Sequence, residues 1–255
     1  MSNRRTGRTL AGILGMLITA THPVAAQSDQ SAAARVEAMA KFLANAQRLS
    51  VTADCVYDVL QDSGEKIEFG ERRELTLRRP DRARFDVTTR DGTRRGILFD
   101  GTQLTAFDVD QKVYATVQKA GTVDAALAYY TQDLKMRLPL RELFATDLPQ
   151  QLKDSLASAR LVGSETLAGV ATDHIAFRRD TADVQVWIAN AGDPLPQRIV
   201  ITYRLAGGQP QFAADFHGWN LTPEVPDSTF TFVPAAGAEK IPIRVPGRKV
   251  DEKQP

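Results

Sequence analysis

The sequence predicts an α+β fold dominated by one antiparallel β arrangement of about 11 strands, with helices before and within the strand series. Three observations predict it. Segments that alternate apolar and polar residues recur along most of the chain, and Gly, Asp, Asn or Pro separate them. The alternation lapses in two places, where the apolar spacing lengthens to three and four. The clearest pair of arms lies in Asp183–Arg204. Val184, Val186 and Ile188 share one side of the first arm, and Ile199, Ile201 and Tyr203 share one side of the second. Asn190 to Pro196, between the arms, carries turn residues that cannot continue a ladder. One side of each arm is greasier than a solvated sheet needs, which implies a curved sheet with an apolar hollow.

Taken in order, residues 1–26 read as a signal peptide. Arg4, Arg5 and Arg8 form a basic start, Leu10 to Ala20 is an apolar run, and Val24-Ala25-Ala26 offers a small-residue cleavage site. The run is too short to anchor in a bilayer. Its removal takes three arginines and no acid from a formal charge of +1, leaving −2. A near-neutral chain of this kind is not a general nucleic-acid or membrane-surface binder. Residues 27–233 then form a single domain, and 234–255, rich in Pro, Gly and charge, form a flexible tail.

Within the domain, Val36, Met39, Ala40, Leu43 and Ala46 place a helix over Ser31–Gln47. Six strands follow, at 49–60, 67–78, 82–88, 93–99, 103–108 and 113–117. Two of the turns between them, Asp91-Gly92 and Asp100-Gly101, carry the Asp-Gly pair that marks hairpins. A helical insert comes next, with candidates at 122–135, 140–145 and 149–157, and Pro139 and Pro149 near the starts of the last two. Five more strands are expected at 161–166, 170–178, 183–188, 197–203 and 211–219. Eleven strands exceed the roughly eight that close a side-chain-filled barrel. A sandwich satisfies this count, and so does a half-open barrel with helices over its mouth.

A resemblance selects between them. Leu161-Val162-Gly163, Gly169-Val170, His174-Ile175-Ala176-Phe177, Val186-Trp187-Ile188 and Pro194 to Tyr203 resemble a bacterial family of uncharacterised predicted periplasmic proteins, as do Trp219-Asn220-Leu221 and Phe230-Thr231-Phe232. In the N-terminal half, Leu77 to Phe85 and Phe99-Asp100-Gly101 resemble the strand, Arg-Pro turn and Asp-Gly hairpin of lipoprotein carriers. The family is similar to carriers of the LolA and LolB type and to regulators of the RseB type. The resemblance implies a LolA-like half-open antiparallel barrel, helices covering its opening, and a hydrophobic cavity for acyl chains.

The residues point the same way, because no catalytic constellation is evident. HExxH, CxxC and GxSxG are missing. After the leader only His174 and His217 remain, beside Asp173 and Asp215, and a metal site needs a third ligand. Asp173 and His174 also face opposite sides of a strand. Cys55, the single cysteine, reads as a buried small apolar residue. If the registers hold, Tyr57, Phe85, Val87, Val186, Ile188, Ile199, Ile201 and Phe216 line the hollow as ligand-binding residues. The expected function is a periplasmic, non-enzymatic binding protein or carrier for a lipid, acyl chain or other hydrophobic ligand, with no cofactor and no metal. The alternative is an envelope protein-interaction or stress-sensing module. It would use the arginine-dense stretch 72–95, with Arg82, Arg84 and Arg94 meeting an anionic partner.

Overall fold

A computed structural model describes residues 24–153 and 158–243. The leader expected at 1–26 therefore lies outside the described residues apart from its last three, as do Arg244–Pro255 of the expected tail. Helix α1 (Val24–Asn45) comes first, followed by β1 (Arg48–Leu60), β2 (Lys66–Arg78), β3 (Arg82–Thr89), β4 (Arg94–Phe99), β5 (Gln103–Asp108) and β6 (Val113–Gln118). The insert holds α2 (Val123–Ala128), a π turn (Tyr129–Asp133), a 3₁₀ turn (Arg141–Phe144) and α3 (Leu148–Leu152). Then come β7 (Arg160–Leu167), β8 (Val170–Arg178), β9 (Ala182–Ala189), β10 (Pro196–Tyr203), β11 (Gln211–Asn220) and the short β12 (Glu239–Lys240).

The twelve strands among the described residues belong to one sheet, in the order β12-β6-β5-β4-β3-β2-β1-β11-β10-β9-β8-β7. Neighbours in sequence pair as antiparallel hairpins on both flanks, and the β1–β11 pair joins the two flanks at the centre. The sheet does not close, because β7 and β12 stand at its opposite edges. Flat, it would be about 50 Å wide at the usual strand spacing. Instead, inward residues of β1–β5 and of β8–β11 join one apolar core with α1, α2 and the 3₁₀ turn, so the sheet curls round its helices. This is the half-open architecture with a helical cover that the sequence predicts.

Alternation places the core. Leu49, Val51, Ala53 and Cys55 of β1 point inward, as do Leu75 and Leu77 of β2 and Ile175 and Phe177 of β8. From α1, Ala32, Val36, Met39, Ala40 and Leu43 pack onto them along one helical face. Arg35 fixes the helix to the sheet, with Asp173 at 3.2 Å and a bond to the Ala189 carbonyl at 2.6 Å.

Three features differ from the expectations. Helix α1 starts seven residues earlier than Ser31, directly after Pro23, since the intervening Ala, Gln and Ser residues do not break a helix. The 122–135 helix changes to a π turn at Tyr129, where the Thr131 hydroxyl bonds back to the carbonyls of Leu127 and Ala128. The stretch 234–243, read as loose, contains β12, which pairs with β6 in parallel. Two residues are too short to show a period.

The route to β12 is a strap across the outer face. Arg78 donates to the Val225 carbonyl at 3.1 Å and pairs with Asp227, and Arg84 donates to the Thr229 carbonyl at 3.3 Å. Phe230 is fully buried with the Arg78 guanidinium 5.2 Å from its ring centre. Phe232 stacks on Phe107 with ring centres 5.4 Å apart and meets Tyr114 at a tilt, 5.0 Å away. After β12 the chain rounds the sheet edge, and Ile241, Pro242 and Ile243 reach the inner side.

Candidate functional site

The inner face is not filled. Two cavities of similar size lie between sheet and cover, one of about 640 Å³ and one of about 610 Å³. The first sits over β2–β6. Its apolar wall includes Phe85, Val87, Ile97, Leu104, Ala106 and Ala115, and its roof comes from Tyr130, Leu134, Met136 and Leu138. Ile241, Pro242 and Ile243 complete the rim. The second lies over β8–β10 beneath Met39, the 3₁₀ turn and α3, against Phe177, Val184, Val186, Ile199 and Ile201. Leu138-Pro139-Leu140 runs between the two. Leu140 adopts a left-handed backbone with φ of 69°, a conformation that costs a bulky residue on the order of 1 kcal/mol.

Charged residues border both cavities, including Glu71, Arg73 and Arg95 in the first and Glu142, Arg178 and Arg179 in the second. Glu71 of β2 points inward with a side chain only 1% exposed, which would be costly without partners. Arg73 supplies Nε at 2.7 Å and Arg95 supplies Nη2 at 3.1 Å. Arg73 also donates to the Pro139 carbonyl at 3.0 Å and lies 5.2 Å from the Phe212 ring centre. Arg79, its side chain 6% exposed, donates to the carbonyls of Ala46 and Phe144 at 3.0 and 2.8 Å. It thereby holds the end of α1 against the 3₁₀ turn. Burial lowers its affinity for a proton, with the Asp124 carboxylate acting in the opposite direction. Burial likewise pushes the Tyr130 hydroxyl up, opposed by the nearby Arg95.

The eight ligand-binding residues expected from the sequence share the inner side but not one site. Phe85 and Val87 line the first cavity. Val186, Ile199 and Ile201 line the second. Phe216 borders a space of only about 30 Å³ between them, beneath the 138–140 segment. Ile188 is fully buried and borders none of these spaces, and Tyr57 stacks on Phe69 at 6.1 Å near the hairpin end. Sequence reasoning missed Glu71 and Arg73 because charged residues on an alternating strand read as surface. Their odd numbering, in phase with inward Leu75 and Leu77, is the signal that could have found them.

The three arginines expected to meet a partner lie elsewhere. Arg82 pairs with Asp81 at 2.9 Å, and Arg84 grips Asp86 at 2.7 and 3.1 Å besides holding the strap. The Arg94 side chain makes no hydrogen bond or ion pair among the described residues, although its amide donates to Asp110. His174 stacks on Trp187 at 3.9 Å and bonds to Glu165 and Gln185, while Asp173 turns the other way to Arg35. His217 lies 3.8 Å from Asp54. Among the described residues no three His, Cys, Asp or Glu side chains gather where a metal could be held, and no helix is long and apolar enough to cross a membrane.

With this geometry in place, comparison with known proteins adds a family and a set of similar folds. Residues 32–244 match a family described as predicted periplasmic protein, DUF2092. No curated protein matches the chain. Among solved structures, lipoprotein LppX of Mycobacterium tuberculosis is similar over 78% of this chain and 100% of its own, at 16% identity and a TM-score of 0.47. An uncharacterised conserved protein of Thermus thermophilus covers 84% of this chain and 99% of its own, at 11% identity and 0.45. A LolA superfamily protein of Nitrosomonas europaea covers 82% and 98%, at 13% identity and 0.39.

Proposed function

Because the chain belongs to the DUF2092 family of predicted periplasmic proteins, we propose that it is a periplasmic binding protein or carrier that shelters a lipid, an acyl chain or another hydrophobic group without chemistry of its own. The observation that carries this reading is the first cavity. Its volume of about 640 Å³ falls in the range of about 300–1,000 Å³ usual for small-molecule sites. Most of its sheet wall and of its roof is apolar, with the charged side chains gathered on one side. Removing an alkyl chain from water is worth about 0.8 kcal/mol per methylene, so a long chain offers on the order of 10 kcal/mol before losses. A dry groove under a helical cover is enough to collect that energy.

Native mass spectrometry of protein purified from the periplasm, together with titration of a fluorescent fatty-acyl probe, tests the proposal. A co-purified lipid or saturable binding is expected. A chain that carries no lipid and has no affinity for the probe sinks it. Docking to an envelope partner through Arg82, Arg84 and Arg94 has weaker support, since the first two already serve Asp81, Asp86 and the strap.

A further inference from the structure

The first cavity has a polar side that shelter alone does not use. Three cations, Arg73, Arg95 and Arg137, and two carboxylates, Glu71 and Asp108, border it, leaving one net positive charge. Both carboxylates are occupied. Glu71 is held by Arg73 and Arg95, and Asp108 accepts the backbone amides of Asp110 and Gln111 at 3.1 and 2.8 Å. Arg73 is spent on Glu71 and the Pro139 carbonyl.

What remains are donors with N–H or O–H groups to spare. Arg95 gives one Nη2 contact to Glu71, and its side chain is 50% exposed. Arg137 makes no hydrogen bond or ion pair among the described residues, and neither does the Tyr130 hydroxyl. All three border a cavity whose other walls are Phe85, Ile97 and Leu104. A guanidinium presents a fork of N–H groups that fits a carboxylate or phosphate, and such charge-assisted bonds are the strong ones where water is scarce. Glu71 keeps Arg95 oriented without using its whole fork.

We propose that the sheltered molecule is an anionic amphiphile, its carboxylate or phosphate head at Arg95, Arg137 and Tyr130 and its alkyl chain against Phe85, Ile97 and Leu104. This rests on the reading of the cavity as a shelter. It adds which end of the ligand the protein recognises.

Laurate, lauryl phosphate and lauryl alcohol share one alkyl chain and differ in the head, so calorimetric titration of the full chain with each separates the two readings. At least one of the two anions should bind about tenfold or more tightly than the alcohol, and its advantage should shrink as salt rises. Whichever anion binds better identifies the head as carboxylate or phosphate. Arg137→Gln and Arg95→Gln should each weaken the favoured anion more than the alcohol and so reduce the advantage. Arg137 has no partner to lose, so its variant tests the point even if Arg95→Gln folds poorly. Equal binding of all three ligands, or an advantage that survives Arg137→Gln, overturns the headgroup assignment and leaves the shelter standing. Failure of all three to bind overturns both.

Discussion

Arg73 on β2 donates to the main-chain carbonyl of Pro139 at 3.0 Å, tying the floor of the trough to the segment that divides its two cavities. The same guanidinium neutralises the buried Glu71. One side chain thus sets both the partition of the hollow and the electrostatics of its wall.

Arg73→Gln should therefore lower stability by about 1–3 kcal/mol, the range for a charge-assisted bond to a buried group. Arg95 still compensates Glu71 in the variant, which keeps the loss below that of an orphaned charge. The Arg73→Gln, Glu71→Gln double variant should lose less than the sum of the single changes. Urea denaturation of the four proteins measures this. Simple additivity would show that the pair is not coupled.

Ala106 stands on the apolar wall of the first cavity. Ala106→Phe should fill part of that space and weaken acyl-probe binding about tenfold, roughly 1.4 kcal/mol, with little change in melting temperature. Val233→Phe, on the largely exposed strap, is the control and should bind as the parent does. Unchanged affinity in Ala106→Phe would move the binding site away from this cavity.

Cys55 is 2% exposed, and burial pushes its thiol up to about 12, opposed by the charge of Arg73. The reactive thiolate is therefore scarce at neutral pH in the folded protein. Maleimide should label it only as fast as the protein unfolds, and at once in denaturant. Rapid labelling of the native chain would contradict the burial.

The strap has an acid-sensitive tie. The hydrogen bond from Arg78, helped by its charge, holds the Asp227 carboxyl below the usual carboxylate range. A depressed carboxyl contributes its stability above its unfolded-state value and loses it as pH falls through the folded one. Hydrogen-exchange protection of residues 225–231, taken relative to the intrinsic rate at each pH, should thus stay constant from neutral pH down to the carboxylate range and fall only below it. In Asp227→Asn that acid step should be missing. Loosening that begins near neutral pH would point to another group.

Gly96 gives way to an aromatic. A Cβ there would lie 2.5 Å from the Phe107 ring and 2.7 Å from the Phe85 carbonyl oxygen. Gly96→Ala should cost about 1–3 kcal/mol as Phe107 is displaced, and Phe232 should lose its stacking partner. Urea midpoints and aromatic circular dichroism report the two effects.

Much of the sheet was legible because most of its strands follow a period of two, broken by register shifts at Ser50/Thr52, Leu161/Gly163 and Pro196/Arg198. The ends of β5 and β8 lie where alternation and flanking Gly or Asp put them. Inward facing of Val186, Ile188, Ile199 and Ile201 followed from the same rule. What alternation cannot convey is distance along the chain. Nothing local announces that β1 pairs with β11, or that Leu138-Pro139-Leu140 will be drawn down by Arg73 to split the hollow. Glu71 looked solvent-facing because a buried carboxylate is tolerated only through partners that folding brings to it. Ile241 to Ile243 showed no period because they follow a rim and form no regular element.

The pairing of β1 with β11, and the reach of Ile243 back to the rim, also constrain when the hollow can come into being. A nascent chain that has emerged only as far as β6 would present a half-lined gutter with its greasy side bare, because one flank and the last rim residues are still unsynthesised. The first cavity would lack its rim until residues 241–243 are in place, so a stalled or clipped polypeptide should expose apolar surface and be sticky.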